Sequence, residues 1–386
     1  MRKRYSRIIA AILCLVLVFA AVPSALAADG ENSLGLLAES AILTDAETGK
    51  VLYEYNADDH HAPASVTKIM TLLLIVEALD RGEFTLDDTV TASAEAASLG
   101  GSQIYLKEGE TFTVRDMIKA IAIASANDAA YAMSEFVAGS GDAFVRRMNE
   151  RARELGMTNT NFVNVHGLDE DGHYTSARDI ALMSRELMKH KMIFDYTTVR
   201  IDSLRDGAFT LTSTNKLLKS YNGITGLKTG STSKALYSMS ATARRDGVSL
   251  IAVVMTSPTG DDRFKDAARL LDYGFEHYAR FGVSKEEKTF EPMSVIGGKK
   301  DDVILTLERD QGVLVKKEDL ERISGRAILP ETIKAPVNAG ARVGNLLYTL
   351  DGEVIADIPI IAAESVERLD VGYCLTLLLK SLFASS

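Results

Sequence analysis

Pro63-Ala64-Ser65-Val66-Thr67-Lys68-Ile69-Met70-Thr71-Leu72-Leu73 is the stretch on which the fold turns. A proline near the start of a helix does no harm, because the N–H it lacks would be unpaired there anyway. The segment from Ala64 onward therefore reads as a helix, continuing through Glu77-Ala78-Leu79-Asp80. On a helix, positions i and i+3 share one face, so Lys68 can reach the Ser65 hydroxyl. A serine hydroxyl is a weak nucleophile at neutral pH and needs a base within hydrogen-bond reach. A free lysine is protonated and cannot be that base. Burial and a second nearby cation both disfavour its charged form, and Lys228 is a candidate for that cation.

A serine with a lysine three residues on is weak by itself, since Ser213…Lys216 and Ser231…Lys234 match too. Two further elements follow in order, Ser125-Ala126-Asn127 and Lys228-Thr229-Gly230. Ser-x-Asn recurs at Ser213-Thr214-Asn215, whereas Lys-Thr-Gly occurs once, so the signal lies in the ordered triple. Each member also has an ordinary reading. Lys68 fits a surface lysine on an amphipathic helix, Ser125 and Asn127 fit helix caps, and Thr229 fits a strand.

Strand pattern opens the chain after residue 27, at Ser40–Asp45 and Val51–Tyr55 around the turn Ala46-Glu47-Thr48-Gly49. Helical pattern runs from Val114, with Thr113 as cap, to Ala124, and resumes near Asp128, which puts Ser125-Ala126-Asn127 between two helices. Another helix spans about Ala177 to His190 behind the cap Ser176. Strands return at Gly226–Ser231, Leu236–Ala243 and Val248–Met255, the last two turned at Asp246-Gly247, before a helix from Asp261 to about Tyr278. Strands at both ends around a helical middle predict an α/β unit, one antiparallel sheet flanked by helices. From about Lys285, short apolar runs such as Val313-Leu314-Val315 and Leu346-Leu347-Tyr348 alternate with turn residues, which predicts a small all-β domain ending near Ala363. The final segment, 364–386, predicts an amphipathic helix with Val371, Cys374, Leu375, Leu378, Leu379, Leu382 and Phe383 on one side. It is too short to span a bilayer but long enough to lie in its surface; packing on the β domain is the alternative.

Residues 1–27 read as a secretory signal: a basic start (Arg2, Lys3, Arg4, Arg7), an apolar run from Ile8 to Val22, and Ala25-Leu26-Ala27 before the cleavage point. Its removal takes away four positive and no negative charges, so the net charge falls from −10 to −14. That acidity argues against a nucleic-acid partner. Cys374 is then the only cysteine, which excludes an internal disulfide. Six histidines lack helix-spaced pairs or cysteine partners, so they are read as solvated loop residues and no metal site is expected.

The residues resemble the low-molecular-mass penicillin-binding proteins, the serine-type D-alanyl-D-alanine carboxypeptidases. The likeness runs over nearly the whole chain after the signal. It includes Pro63–Met70, Gly100-Gly101-Ser102-Gln103-Ile104-Tyr105, Ser125–Ala129, Tyr174–Asp179 and Gly226–Gly230, and is nearest to the sporulation-associated members. It implies a catalytic domain over 28–282, a β-rich domain over 283–363 and a membrane-anchoring helix over 364–386. Ser65 would be the acylated nucleophile, Lys68 its base and Ser125 a proton relay. Asn127 would hold the substrate peptide, Lys228 would assist electrostatically, and Thr229 with Arg263 would bind the terminal carboxylate. Gly230 belongs to the same motif, and the N–H groups of Ser65 and Ser231 would form the oxyanion hole. The implied substrate is a peptidoglycan stem peptide ending in D-Ala-D-Ala outside the cytoplasmic membrane. β-lactams would be covalent inhibitors, and no cofactor or metal is implied. Ala126 stands where the family most often has glycine. Without the resemblance, Arg263 reads as a surface arginine at a helix start.

The nearest rival is a class A β-lactamase, which needs a deacylating glutamate; no Glu-x-x-Leu-Asn lies between Asp128 and Gly226. A non-catalytic muropeptide or β-lactam sensor is a second rival, against which the three elements stand intact. An endopeptidase acting on cross-linked peptide would use the same site.

Overall fold

A computed structural model describes residues 32–384 of the chain; the signal sequence read at residues 1–27 lies outside the described residues. Strands β1 (Ser40–Asp45), β2 (Val51–Tyr55), β3 (Ile224–Thr232), β4 (Leu236–Arg245) and β5 (Val248–Ser257) form one antiparallel sheet in the order β2-β1-β5-β4-β3. Asp246 and Gly247 join β4 to β5 with φ of 47° and 78°, the left-handed pair that a two-residue hairpin loop requires.

Side chains of β5 alternate between two cores, as a strand buried on both faces must. Ile251, Val253 and Met255 pack with Ile69, Leu72 and Ile75 of α1 (Lys68–Asp80) in the larger helical layer. That layer also holds α2 (Val114–Lys119), α3 (Asn127–Ala138) and α4 (Ala177–Lys189). Leu250, Ala252 and Val254 pack on the other face against Phe264, Leu270 and Leu271 of α5 (Gly260–His277). Helix α1 is buried nearly all round, which suits its place between sheet and helices. Thr113, Ser176 and Thr259 accept the N–H groups of Asp116, Asp179 and Asp262 and so fix the starts of α2, α4 and α5.

Two helices differ from the sequence reading. Ala64–Thr67 is a 3₁₀ turn, and α1 begins only at Lys68. In a 3₁₀ turn residues i and i+3 eclipse, so Lys68 stands directly over Ser65. The helix expected to reach Ala124 ends at Lys119 and continues as a π turn, Ala120–Ala124. The chain then leaves it through Ser125 at a left-handed φ of 64°.

Beyond α5 the chain enters β6 (Tyr278–Val283) without a linker, and β6 pairs with β8 (Gln311–Lys316). Strands β7 (Leu305–Leu307), β9 (Ile323–Ile328), β10 (Arg342–Leu350) and β11 (Glu353–Ala362) form a second sheet in the order β7-β11-β10-β9. Its core holds Val303, Leu305, Leu307, Leu346, Ile358 and Ile360. Residues 364–369 stay on this domain, Val366 pairing with Val337, so the tail helix α6 (Val371–Ala384) starts later than the composition suggested. Tyr373 turns inward, its hydroxyl donating to the Lys299 carbonyl at 3.2 Å. Val371 is 86 % exposed and Leu375 57 %, so these two side chains are not covered by the β domain, while Tyr373 touches it. The side chains of Leu378, Leu382 and Phe383 lie outside the described residues.

Candidate active site

Lys68 is wholly buried, and its Nζ meets three oxygens: Ser65 Oγ at 3.0 Å, Asn127 Oδ1 at 2.6 Å and the His166 carbonyl at 2.6 Å. Two of these can only accept. A neutral amine has two N–H groups and one lone pair, so two carbonyl-type oxygens take both hydrogens and leave the lone pair facing the Ser65 hydroxyl. Burial, joined by repulsion from Lys228 and opposed by Asp128, holds the Lys68 pKa well below that of a free lysine. The depressed pKa favours the neutral amine, and in that form the lone pair would face Ser65 Oγ.

The amide of Asn127 is oriented by its surroundings. Its Nδ2 donates to the Gly100 carbonyl at 2.7 Å, which leaves Oδ1 for Lys68. Its backbone N–H donates to the Ser102 carbonyl at 2.7 Å. Next to it, the buried Asp128 carboxylate accepts the N–H groups of Ile104, Leu106 and Ala129, tying the loop around residues 100–106 to α3.

A second lysine closes the other side. Lys228 Nζ, on β3, donates to Ser125 Oγ at 2.8 Å and to the Thr229 carbonyl at 2.9 Å. Burial, with repulsion from Arg263 second, pushes its pKa down to about 7. The left-handed turn at Ser125 aims that hydroxyl at Lys228, so the strained backbone serves this contact. Thr229 Oγ1 donates to Thr214 Oγ1 at 2.6 Å. Arg263 Nη1 donates to the Gly230 carbonyl at 2.9 Å, and its guanidinium lies over the rings of Tyr237 and Phe264. Burial lowers its pKa to about 10. A side chain at Gly230 would come within 3.0 Å of the backbone nitrogens of Ser65 and Val66, so β3 presses directly on the turn that carries Ser65. Ser231, the next residue, is exposed beside that contact.

Ser65, Lys68, Asn127, Ser125, Lys228, Thr229, Gly230 and Arg263 therefore converge, linked by Lys68–Asn127, Lys228–Ser125, Arg263–Gly230 and the β3 backbone contact. The histidine reading is corrected: His166 and His173 are buried, not solvated, and line the floor beneath Lys68. Burial, together with Lys68 and His173, pushes His166 down to about 3, and burial against an opposing Asp169 pushes His173 down to about 4. Both rings are neutral at working pH. Thr214, seen before only as part of a decoy Ser-x-Asn, contacts Thr229; a hydroxyl that acts by tertiary contact leaves no sequence signal. Among the described residues no group of three His, Cys, Asp or Glu side chains could hold a metal.

Residues 27–259 match the family model for D-alanyl-D-alanine carboxypeptidase, and residues 278–368 match that for the penicillin-binding protein 5 C-terminal domain. D-alanyl-D-alanine carboxypeptidase DacF of Bacillus subtilis (strain 168) is 42 % identical over 369 residues, covering 94 % of this chain and 95 % of that protein. Penicillin binding protein 5 from Haemophilus influenzae superposes with a TM-score of 0.70 at 29 % identity, covering 88 % of this chain and all of that one. Penicillin-Binding Protein D2 from Listeria monocytogenes in its ampicillin-bound form is 36 % identical with a TM-score of 0.58, covering 63 % of this chain and 99 % of that one. With both family models matched and the Bacillus relative aligned over 94 % of the chain, the chain belongs to the serine-type D-alanyl-D-alanine carboxypeptidase family of hydrolases.

Proposed function

We propose that Ser65 is the nucleophile that removes the terminal D-Ala from peptidoglycan stem peptides, with Lys68 as its base. The observation that carries this is the buried Lys68 amine, 3.0 Å from Ser65 Oγ and held by the Asn127 amide oxygen and the His166 carbonyl, each at 2.6 Å. Lys68 takes the Ser65 proton as Oγ attacks the penultimate D-Ala carbonyl carbon. The oxyanion is held by the N–H groups of Ser65 and Ser231. Collapse breaks the C–N bond, and the proton taken up by Lys68 passes through the Ser125 hydroxyl to the departing D-Ala amine, with Lys228 assisting electrostatically beside Ser125. Water then hydrolyses the acyl ester on Ser65 and restores both groups. Thr229 and Arg263 bind the terminal carboxylate, and Asn127 holds the peptide. β-lactams enter the same path and stop at the ester, as the ampicillin-bound Listeria relative supports. Among the described residues no carboxylate contacts Ser65 or Lys68, which favours this reading over a class A β-lactamase.

The test pairs D-Ala release from a D-Ala-D-Ala tripeptide with mapping of the peptide labelled by a fluorescent penicillin. Label on any serine but Ser65, or unchanged label in Ser65→Ala, would refute it.

The same proposal divides the chain into a signal at 1–27, a catalytic domain at 28–282, a β domain at 283–363 and a membrane-surface tail at 364–386, on the outer face of the membrane. Exposed Val371, Leu375, Leu377 and Leu379 support the tail's role. Flotation with lipid vesicles should depend on residues 371–386. Use during sporulation follows the resemblance and would show as penicillin labelling confined to that stage.

A further inference from the structure

Beneath the candidate nucleophile lies a buried histidine that the reaction as written does not use. Val163 donates its N–H to His173 Nδ1 at 2.9 Å, which fixes that nitrogen as an acceptor. A neutral ring then carries its hydrogen on Nε2, and Nε2 stands 2.9 Å from Thr67 Oγ1. His173 is thus a donor to the nucleophile's 3₁₀ turn at one end and an acceptor from the segment 163–167 at the other. That segment carries the oxygens that hold α1 from below. The Val165 carbonyl accepts from Thr71 Oγ1 at 2.6 Å, and the His166 carbonyl accepts from Lys68 Nζ at 2.6 Å. Gly167 follows with φ of 91°, so close that a side chain there would lie 1.8 Å from the Ala64 carbonyl oxygen.

We infer that His173 is a positioning residue for acylation: by bridging Thr67 to Val163 it holds the His166 carbonyl on Lys68 and keeps water from the amine. It touches neither the substrate nor the reacting atoms. The inference rests on the reading that Lys68 is the base for Ser65. The lower end of the bridge depends on a neutral ring. A protonated His173 would present N–H to the Val163 N–H and break the lower contact. Burial opposes protonation of His173 and Asp169 favours it; the Phe162 ring packs beside it. The groups facing Lys68 are Lys228, which depresses its pKa, and Asp128, which raises it, so neither explains the sealing of the amine from below.

Loosening the segment admits water beside Lys68, and water favours the ammonium. In His173→Ala the acid limb of the acylation profile, which reports Lys68, should therefore move to higher pH by about one unit. The acylation rate at neutral pH should fall about tenfold, the scale of one lost hydrogen bond in a buried network. Affinity of the pre-covalent complex should hold. His173→Gln, which keeps one donor and one acceptor, should restore most of the midpoint. Thr67→Val removes the other end of the bridge with the shape kept, and serves if the alanine variant does not fold. The experiment is stopped-flow acylation by a fluorescent penicillin across pH, on the whole chain, with unfolding midpoints measured alongside. An acid-limb midpoint equal to wild type in a folded His173→Ala or Thr67→Val protein would overturn the inference, whatever the loss of rate. Persistent labelling in Ser65→Ala would instead sink the reading beneath it, so the two failures are distinct.

Discussion

Replacing Arg263 with alanine should remove three effects at once, and they can be separated. The first is the charge that would hold a terminal carboxylate. A charge-assisted hydrogen bond of this kind contributes about 1.5–3 kcal/mol, or about ten- to hundredfold in kcat/KM on a peptide acid. The second is the bond from Nη1 to the Gly230 carbonyl, which braces β3 against the nucleophile's turn. Its loss falls equally on acid and amide substrates and amounts to about 1 kcal/mol, or about fivefold. The third is the repulsion that helps depress Lys228. Without it the Lys228 limb, near pH 7 in the wild type, moves upward, though not to the free value, because burial is the larger cause. The assay is kcat/KM across pH on a D-Ala-D-Ala peptide and its C-terminal amide, for wild type, Arg263→Ala and Arg263→Lys. The lysine variant keeps charge without the planar fork and should retain part of the acid preference. Equal losses on acid and amide would mean that Arg263 serves β3 alone, and the carboxylate would then have to bind at Lys228.

Lys68→Ala should fold and lose acylation by at least about a hundredfold, the usual contribution of a general base, and penicillin labelling at neutral pH checks it. Retained labelling would point to another base. Gly167→Ala should cost more than about 4 kcal/mol in urea unfolding or fail to fold, because its Cβ would overlap the Ala64 carbonyl at a left-handed φ. Wild-type stability would show that the segment does not press on the nucleophile's turn. Stability should fall as pH drops from about 6.5 towards 4, since unfolded histidines take up protons that buried His173 and His166 refuse. His173 alone would account for about 3 kcal/mol once the pH is below both of its pKa values. A chemical-denaturation series in which His173→Gln shows the same slope as wild type would refute that assignment.

Local chemistry made much of this legible in advance. The Asp246-Gly247 turn, the caps Thr113 and Ser176, and the one-turn spacing of Ser65 and Lys68 each follow from a few neighbouring residues. Lys228 as a candidate second cation was also legible, because a buried lysine base calls for a nearby positive charge, and its repulsion adds to burial in depressing Lys68. What escaped acts through tertiary contact. His166 contributes a backbone carbonyl, which any residue possesses, and His173 contributes two ring nitrogens whose partners are 10 and 106 residues away. The left-handed Ser125 depends on a π turn that apolar periodicity does not distinguish from a helix. Arg263 looked like a surface residue because its cover comes from Tyr237 on a separate strand as well as from its neighbour Phe264.

Helix α5 begins three residues before Arg263 and ends where β6 begins. Its 18 residues span about 27 Å at the rise of an α-helix. No flexible joint separates its far end from the β domain, since Tyr278 is already paired with Lys316. The arrangement is a strut with Arg263 near one tip and the β domain at the other. With the tail resting on a membrane, such a strut would set a stand-off distance for the cleft. Stem peptides would then be trimmed within a narrow shell of the wall, selected by height above the lipid as much as by their chemistry.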